Sequence, residues 1–275
     1  MKKEFSKVLL KELFPYGINE KVQKDRLYCF HHAGGSALTF KNWLNFQQDI
    51  ETIPVDVPNR TKQINEQHFN DIVDETVKAI LEISNGKKIF IYGHSLGALF
   101  SFQVGYKLQK EYGEKVGKIF AAGRPSPHEI CPSEFQCSEG QEVLYLKLVQ
   151  EGLIPEKILK SELFKKDFLP LIFDDYRLRE EYTYRGEMVD IPIITLSGDK
   201  DTEASKEIME GWKNVTTVGI TQYEIEGNHF FPYGEREDEV LQILSAEITE
   251  RKETGNAAED NRNLRDRRLS GKICG

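Results

Sequence analysis

The sequence predicts an α/β fold, a mainly parallel and doubly wound sheet with a helical lid inserted between two of its strands. Three observations carry that expectation. Short β-branched or aromatic runs alternate with stretches of helical apolar spacing from Arg26 onward. The alternation stops between Arg124 and Arg185, in a charged and aromatic stretch, and then resumes. A glycine-flanked turn, Gly93-His94-Ser95-Leu96-Gly97, joins one strand directly to the next helix. Strands that alternate with helices bury both faces of a parallel sheet.

Each element follows from its local pattern. "RLYCF" (Arg26 to Phe30) reads as the first strand, followed by the glycine turn "HHAGGSA" and a helix through Leu44. "IETIPVDV" is the second strand. In "FNDIVDETVKAILEI" the residues Ile72, Val73, Thr76, Val77, Ile80 and Leu81 fall on one helical face. Lys88 to Tyr92 is the strand before the turn, Leu96 to Leu108 the helix after it, and "VGKIFAAG" the next strand. The insertion, about residues 125–185, contains the helix-like pieces "EGQEVLYLKLVQEG" and "DFLPLIFDDYRLREEYTY". Its apolar residues, including Leu144, Leu148, Phe168, Ile172 and Phe173, are expected to pack the lid rather than touch a ligand. "IPIITLSG" and "TQYEIEG" are closing strands, and "ASKEIMEGWK" a helix. In "EREDEVLQILSAEI", Val240, Leu241, Leu244 and Ile248 make the buried face of a last helix.

Length and composition bound the rest. The 275 residues fit one larger domain, residues 1–250, with a disordered tail at 251–275. The tail carries seven basic and four acidic side chains, which leaves about −11 on the remainder of a chain of net charge −8. That balance argues against nucleic acid as a partner. Cys29, Cys131, Cys137 and Cys274 have neither metal-ligand nor redox spacing, so free thiols, a reducing cytoplasm and no metal are expected. The N-terminal apolar residues are broken by Lys7, Lys11 and Glu12, so neither a signal peptide nor a membrane span is expected.

The pentapeptide around Ser95 has the form G-x-S-x-G, which chance supplies roughly one time in ten in a chain this long. Its strand-turn-helix context is more specific. Glycines two residues either side let the backbone turn sharply, so the serine hydroxyl stands exposed at the strand's C-terminal end. A hydroxyl needs a base to become a nucleophile. In doubly wound hydrolases the chain order is Ser, then Asp or Glu, then His. His229, in "EGNHFFPYG", is the only histidine beyond the insertion and follows a predicted strand. For the acid, Asp199 and Asp201 compete after "IPIITLSG". Asp199 has an alternative as a turn residue, and Asp201 as an N-cap before Glu203. Greater reach from the strand end favours Asp201. The oxyanion would be held by the backbone N–H groups of Leu96 and of Ala33 in the early glycine loop. His31 and His32 are adjacent and cannot both point into one site.

The ordered motifs "FHHAGGSA", "YGHSLGALF", "GRPSPH", "SGDKD" and "GNHFF" resemble the type II, or editing, thioesterases of nonribosomal peptide and polyketide synthesis, which have the α/β-hydrolase fold. The resemblance spans about residues 25–245; medium-chain thioesterases of fatty acid synthase are similar too. It implies a Ser95, Asp201, His229 triad with Ala33 and Leu96 as oxyanion donors. It further implies hydrolysis of acyl groups from the phosphopantetheine arm of an acyl- or peptidyl-carrier protein, met transiently by a cytoplasmic monomer. The enzyme itself would need no cofactor. The chain departs from the family pattern at His31, often proline, at Asn59 in "VPNR", and at Asn228, commonly glycine. Rival expectations are a fatty-acyl thioesterase or small-molecule esterase, and a hydrolase scaffold that only binds a partner.

Overall fold

Among the described residues, six strands form one sheet in the order β2-β1-β3-β4-β5-β6, every neighbouring pair parallel. They are β1 (Asp25–Phe30), β2 (Ile50–Val55), β3 (Ile89–His94), β4 (Val116–Ala122), β5 (Ile193–Gly198) and β6 (Ile220–Ile225). These positions come from a computed structural model, which describes residues 7–19, 23–57, 68–129, 135–151, 154 and 156–249. Asn59, Cys131, Cys274 and the expected tail at 251–275 lie outside the described residues.

Side-chain alternation sorts the strands onto two cores. Tyr28, Phe30, Ile89, Ile91, Ile119 and Ala121 face one core. Leu27, Cys29, Phe90, Tyr92, Phe120 and Ala122 face the other. That period of two is what a parallel sheet buried on both sides requires. The first core is closed by α1 (Lys7–Leu13), α2 (Phe69–Glu82) and α3 (Leu96–Lys110). The predicted α2 face is buried at Ile72, Val73, Thr76, Val77 and Ile80, with Leu81 at its margin. The second core is closed by Phe40, Trp43 and a last helix α8, residues 237–249, through Val240, Leu244 and Ile248. A buried ion pair, Lys118 with Glu247, ties α8 to β4, and the Tyr223 hydroxyl donates to Glu247 at 2.7 Å.

Two expected helices are shorter than their sequence suggests. Residues Ala37–Trp43 form 3-10 turns with a kink at Phe40, because Phe40 and Trp43 both turn into the core. After a single α turn, α7 (Lys206–Met209), the chain tightens to 3-10 geometry over Glu210–Val215, where Trp212 and Val215 are drawn under the sheet. No helix among the described residues is long and apolar enough to cross a membrane.

The insertion folds as α4 (Gln141–Glu151), α5 (Glu156–Leu159), a π-helical turn (Phe164–Phe168) and α6 (Leu169–Glu181). Leu144, Leu148, Leu159, Phe164 and Ile172 pack as a separate small core, as expected for most of its apolar residues. Phe168 packs less completely: its ring stacks on that of Phe164, with centroids 6.5 Å apart, while the residue stays 50% exposed. Sheet order reverses beside β1, since β2 lies on one side of it and β3 on the other. Loops leaving β1 and β3 therefore diverge and leave a crevice at the strands' C-terminal ends, where open α/β sheets bind ligands.

Candidate active site

Ser95 sits at this crevice, in the turn from β3 into α3, with φ 54° and ψ −118°. It is the one described non-glycine residue with positive φ. The conformation is held by what surrounds it. A Cβ on Gly93 would lie 2.0 Å from the Gly97 carbonyl oxygen, and one on Gly97 would lie 2.2 Å from the Phe30 carbonyl oxygen. Only glycines permit this approach of backbone to backbone. The Ser95 N–H donates to the Ala122 carbonyl at 2.9 Å, which anchors the turn to β4. Leu96 opens α3, so its N–H is one of the helix's first amides and has no intrahelical acceptor.

His229 lies in the loop after β6. Its Nδ1 is 2.8 Å from Asp201 Oδ2. The other oxygen, Oδ1, accepts from the N–H groups of Glu203 and Ala204 at 3.0 and 3.2 Å. One carboxylate thus does both things the sequence suggested for it: it caps the following turn and it holds the histidine. Burial works to raise the Asp201 pKa, but the His229 hydrogen bond and charge and the two backbone donors outweigh it, so the carboxyl is held below its usual range. Asp199 plays the turn role instead, with Oδ1 accepting the Gly227 N–H at 2.7 Å.

The two early histidines diverge as their adjacency demands. His31 is buried, its Nε2 3.3 Å from Asp56 Oδ1, and its Nδ1 donates to the His32 carbonyl at 2.8 Å. His32 faces the site and packs edge-on against Phe230, with ring centroids 4.9 Å apart. Where the family often has proline, His31 therefore stiffens the loop by hydrogen bonds rather than by a ring.

His94 is fully buried between these parts. Burial, followed by the neighbouring His229 and His32, holds its pKa well below the usual value, so its ring is neutral. Its Nε2 lies 2.8 Å from the His229 carbonyl oxygen, and only an N–H can pair with that acceptor. Nδ1 is then bare and accepts from the Tyr233 hydroxyl at 3.2 Å. The Tyr233 oxygen in turn accepts from His32 Nδ1 at 3.4 Å. A run of hydrogen bonds so joins the loop after β1 to the backbone of His229. Tyr233 was not singled out from the sequence; "HFFPYG" gives no sign that its hydroxyl reaches back to β3.

Ser95, His229, Asp201, Ala33 and Leu96, the five residues expected to form the site, all line one chamber of about 580 Å³. The lid roofs it with Leu148, Ile154 and Ile172. Leu148 and Ile172 thus line the chamber as well as packing the lid. Charged side chains share the wall: Arg124 after β4, and Asp175 and Arg179 on α6. Arg179 lies over the Tyr176 ring at 4.8 Å and donates to the Phe135 carbonyl, which fixes it within the lid.

Comparison with known proteins agrees with this architecture. The model of the thioesterase domain matches residues 25–248. The linear gramicidin dehydrogenase LgrE of Brevibacillus parabrevis is 29% identical over 235 residues, covering 81% of this chain and 87% of the relative. The medium-chain S-acyl fatty acid synthase thioesterase of Rattus norvegicus is 24% identical over 212 residues, covering 75% of this chain and 81% of its own. Among solved structures, the RedJ thioesterase from the prodiginine pathway of Streptomyces coelicolor superposes with a TM-score of 0.72 at 23% identity, over 85% of this chain and 92% of that one. This chain belongs to the thioesterase family.

Proposed function

We propose that the protein is a serine thioesterase that clears acyl groups from the phosphopantetheine arm of carrier proteins in nonribosomal peptide or polyketide synthesis. The observation that carries this is the Asp201–His229 pair opening onto the same chamber as the strained Ser95. With Nδ1 held by Asp201, His229 has Nε2 left to take the Ser95 proton as Oγ attacks the thioester carbonyl. Asp201 keeps the ring in that tautomer and offsets the charge it acquires. The N–H groups of Ala33 and Leu96 receive the oxyanion. The leaving thiol, with a pKa of about 8.5, departs with little protonation. Water activated by His229 then releases the acyl group and restores Ser95. The pantetheine arm belongs to the substrate, so the enzyme needs no cofactor or metal, and it meets its carrier briefly, as a monomer in the cytoplasm.

Support for the editing role comes from a relative named for linear gramicidin and from the ordered motifs around the site. That relative's name is of a dehydrogenase, an activity not carried over here, because the chain contains no G-x-G-x-x-G dinucleotide fingerprint. A fatty-acyl thioesterase is the second reading, favoured by the rat relative. The Arg124 and Arg179 side chains in the wall favour short or polar acyl groups over a medium alkyl chain. Intact-mass measurement of a panel of acyl-loaded carrier proteins, with wild type and Ser95→Ala, tests both. Loss of acetyl, propionyl or aminoacyl groups with wild type alone is expected; preference for eight- to twelve-carbon chains would move the assignment to the second reading.

A further inference from the structure

We propose that Asp175 is a positioning residue that couples the lid to the oxyanion donor at Ala33, an inference that rests on assigning the Ala33 N–H that task. The direction of an amide N–H is set by the peptide plane it belongs to. The Ala33 N–H shares its plane with the His32 carbonyl. That carbonyl is held twice from within the loop, by His31 Nδ1 at 2.8 Å and by the Gly35 N–H at 2.9 Å. The plane on the other side of Ala33 ends in the Gly34 N–H, which donates to Asp175 Oδ2 at 2.6 Å. Between the two planes only the φ and ψ of Ala33 are soft, and fixing both planes fixes them.

The second of these holds comes from elsewhere in the chain. Asp175 lies on α6, in the lid, and is 1% exposed. Its helix rests directly on the loop: a Cβ on Gly34, where φ is +79°, would lie 2.9 Å from Ile172 Cγ1. With α6 seated, the loop is clamped and the Ala33 amide is held in one direction before any oxyanion forms. With α6 lifted, the Gly34 N–H exchanges a carboxylate for water and the loop regains rotation about Ala33. The helix that lines the chamber through Ile172 thus also holds the oxyanion loop. The role belongs to the acceptor atom and its position, not to a charge aimed at substrate.

Three variants of the full chain test this, Asp175→Ala, Asp175→Asn and Asp175→Glu, assayed on a short acyl-CoA and by the rate at which an alkyl fluorophosphonate labels Ser95. Labelling reads Ser95 and its oxyanion donors even if no thioester is hydrolysed, so it separates failure of this inference from failure of the proposed function. Expected is a 10- to 100-fold fall in kcat for Asp175→Ala with KM within two-fold, a similar fall in labelling rate, and a changed 31P shift of the adduct. Asp175→Asn keeps an acceptor in place and is expected within three-fold of wild type. Asp175→Glu keeps the charge but displaces the oxygen, and is expected to fall at least 10-fold. Wild-type labelling and turnover in Asp175→Ala would overturn the proposal. So would an active Glu variant beside an impaired Asn variant, a comparison that stands even if the alanine variant does not fold.

Discussion

His229 Nδ1 and Asp201 Oδ2 stand 2.8 Å apart although 28 residues separate them in the chain. Parallel β5 and β6 bring the loops that follow them to the same end of the sheet, and the Asp199 carboxylate braces the second loop by accepting the Gly227 N–H. The two aspartates therefore have separable duties. Asp201→Asn is expected to lower kcat by roughly 10³- to 10⁴-fold, because an amide nitrogen facing Nδ1 stabilises the wrong tautomer. Asp199→Asn retains an oxygen acceptor and is expected within a few-fold of wild type. Steady-state kinetics on an acyl-CoA separates the two, and equal losses would undo the assignment of the acid.

Ser95 holds a backbone conformation that a side chain resists, and such strain costs about 1–3 kcal/mol. Glycine adopts φ 54° freely, though it also gives up chain entropy of about 0.5–1 kcal/mol. Ser95→Gly is thus expected to abolish hydrolysis and yet raise stability by about 1 kcal/mol. Urea unfolding of wild type, Ser95→Gly and Ser95→Ala checks this. The alanine variant is the control, since it loses the hydroxyl but keeps the strained Cβ. A glycine variant no more stable than the alanine one would show that the turn stores no strain.

What was legible in the sequence is what depends on near neighbours in the chain. The turn around Ser95 could be read because strand, glycines and helix are consecutive, and His229 because chain order limits the base to one candidate. Reach from the strand end and the resemblance at "SGDKD" both favour Asp201 over Asp199, and the 2.8 Å contact lies on that side. Tyr233 could not be found this way. Its partners are His94, 139 residues earlier, and His32, 201 residues earlier, and no local pattern records such distances. The split between His31 and His32 was foreseen, but which of them faces the site depends on Asp56, at the end of β2, claiming His31. Leu148 and Ile172 pack the lid as expected but also line the chamber, a second duty that helical spacing does not record.

The neutral His94 has a consequence for acid stability. Its folded pKa lies below that of the unfolded chain, where a histidine titrates near 6.5. The unfolded state therefore binds a proton first as pH falls, and stability present above that value is lost below it. For one such group the slope is about 1.4 kcal/mol per pH unit. His94→Gln is expected to be less stable at pH 7.5, since it loses the contact to Tyr233, but to show a flatter decline between pH 6.5 and 5. Urea unfolding over that range reads the slope directly; parallel declines in wild type and variant would mean that His94 is protonated in the folded state.

Docking of a carrier protein makes the last prediction. The lid insertion exposes Leu146, Leu163 and Phe168 at 57%, 62% and 50%. Over residues 156–167 the exposed charges are Lys157, Lys160, Lys165 and Lys166 against Glu156, Glu162 and Asp167, so this stretch is near charge balance. On a chain whose net charge is −8, such a surface would let an acidic carrier settle through apolar contact without strong repulsion. Leu146→Asp adds a negative charge there and removes apolar area, yet Leu146 is not among the residues that line the chamber holding Ser95. The expected result is a KM for acyl-carrier protein raised about 5- to 10-fold, equivalent to ~1–1.4 kcal/mol, with kcat/KM on acyl-CoA unchanged. If the lysines of this stretch add a charged rim to the contact, raising the salt is expected to weaken it, and no long-lived complex is expected to accumulate. An equal effect of Leu146→Asp on both substrates would place the change in the chamber rather than at the carrier, and no effect on either would move the docking surface off this part of the lid.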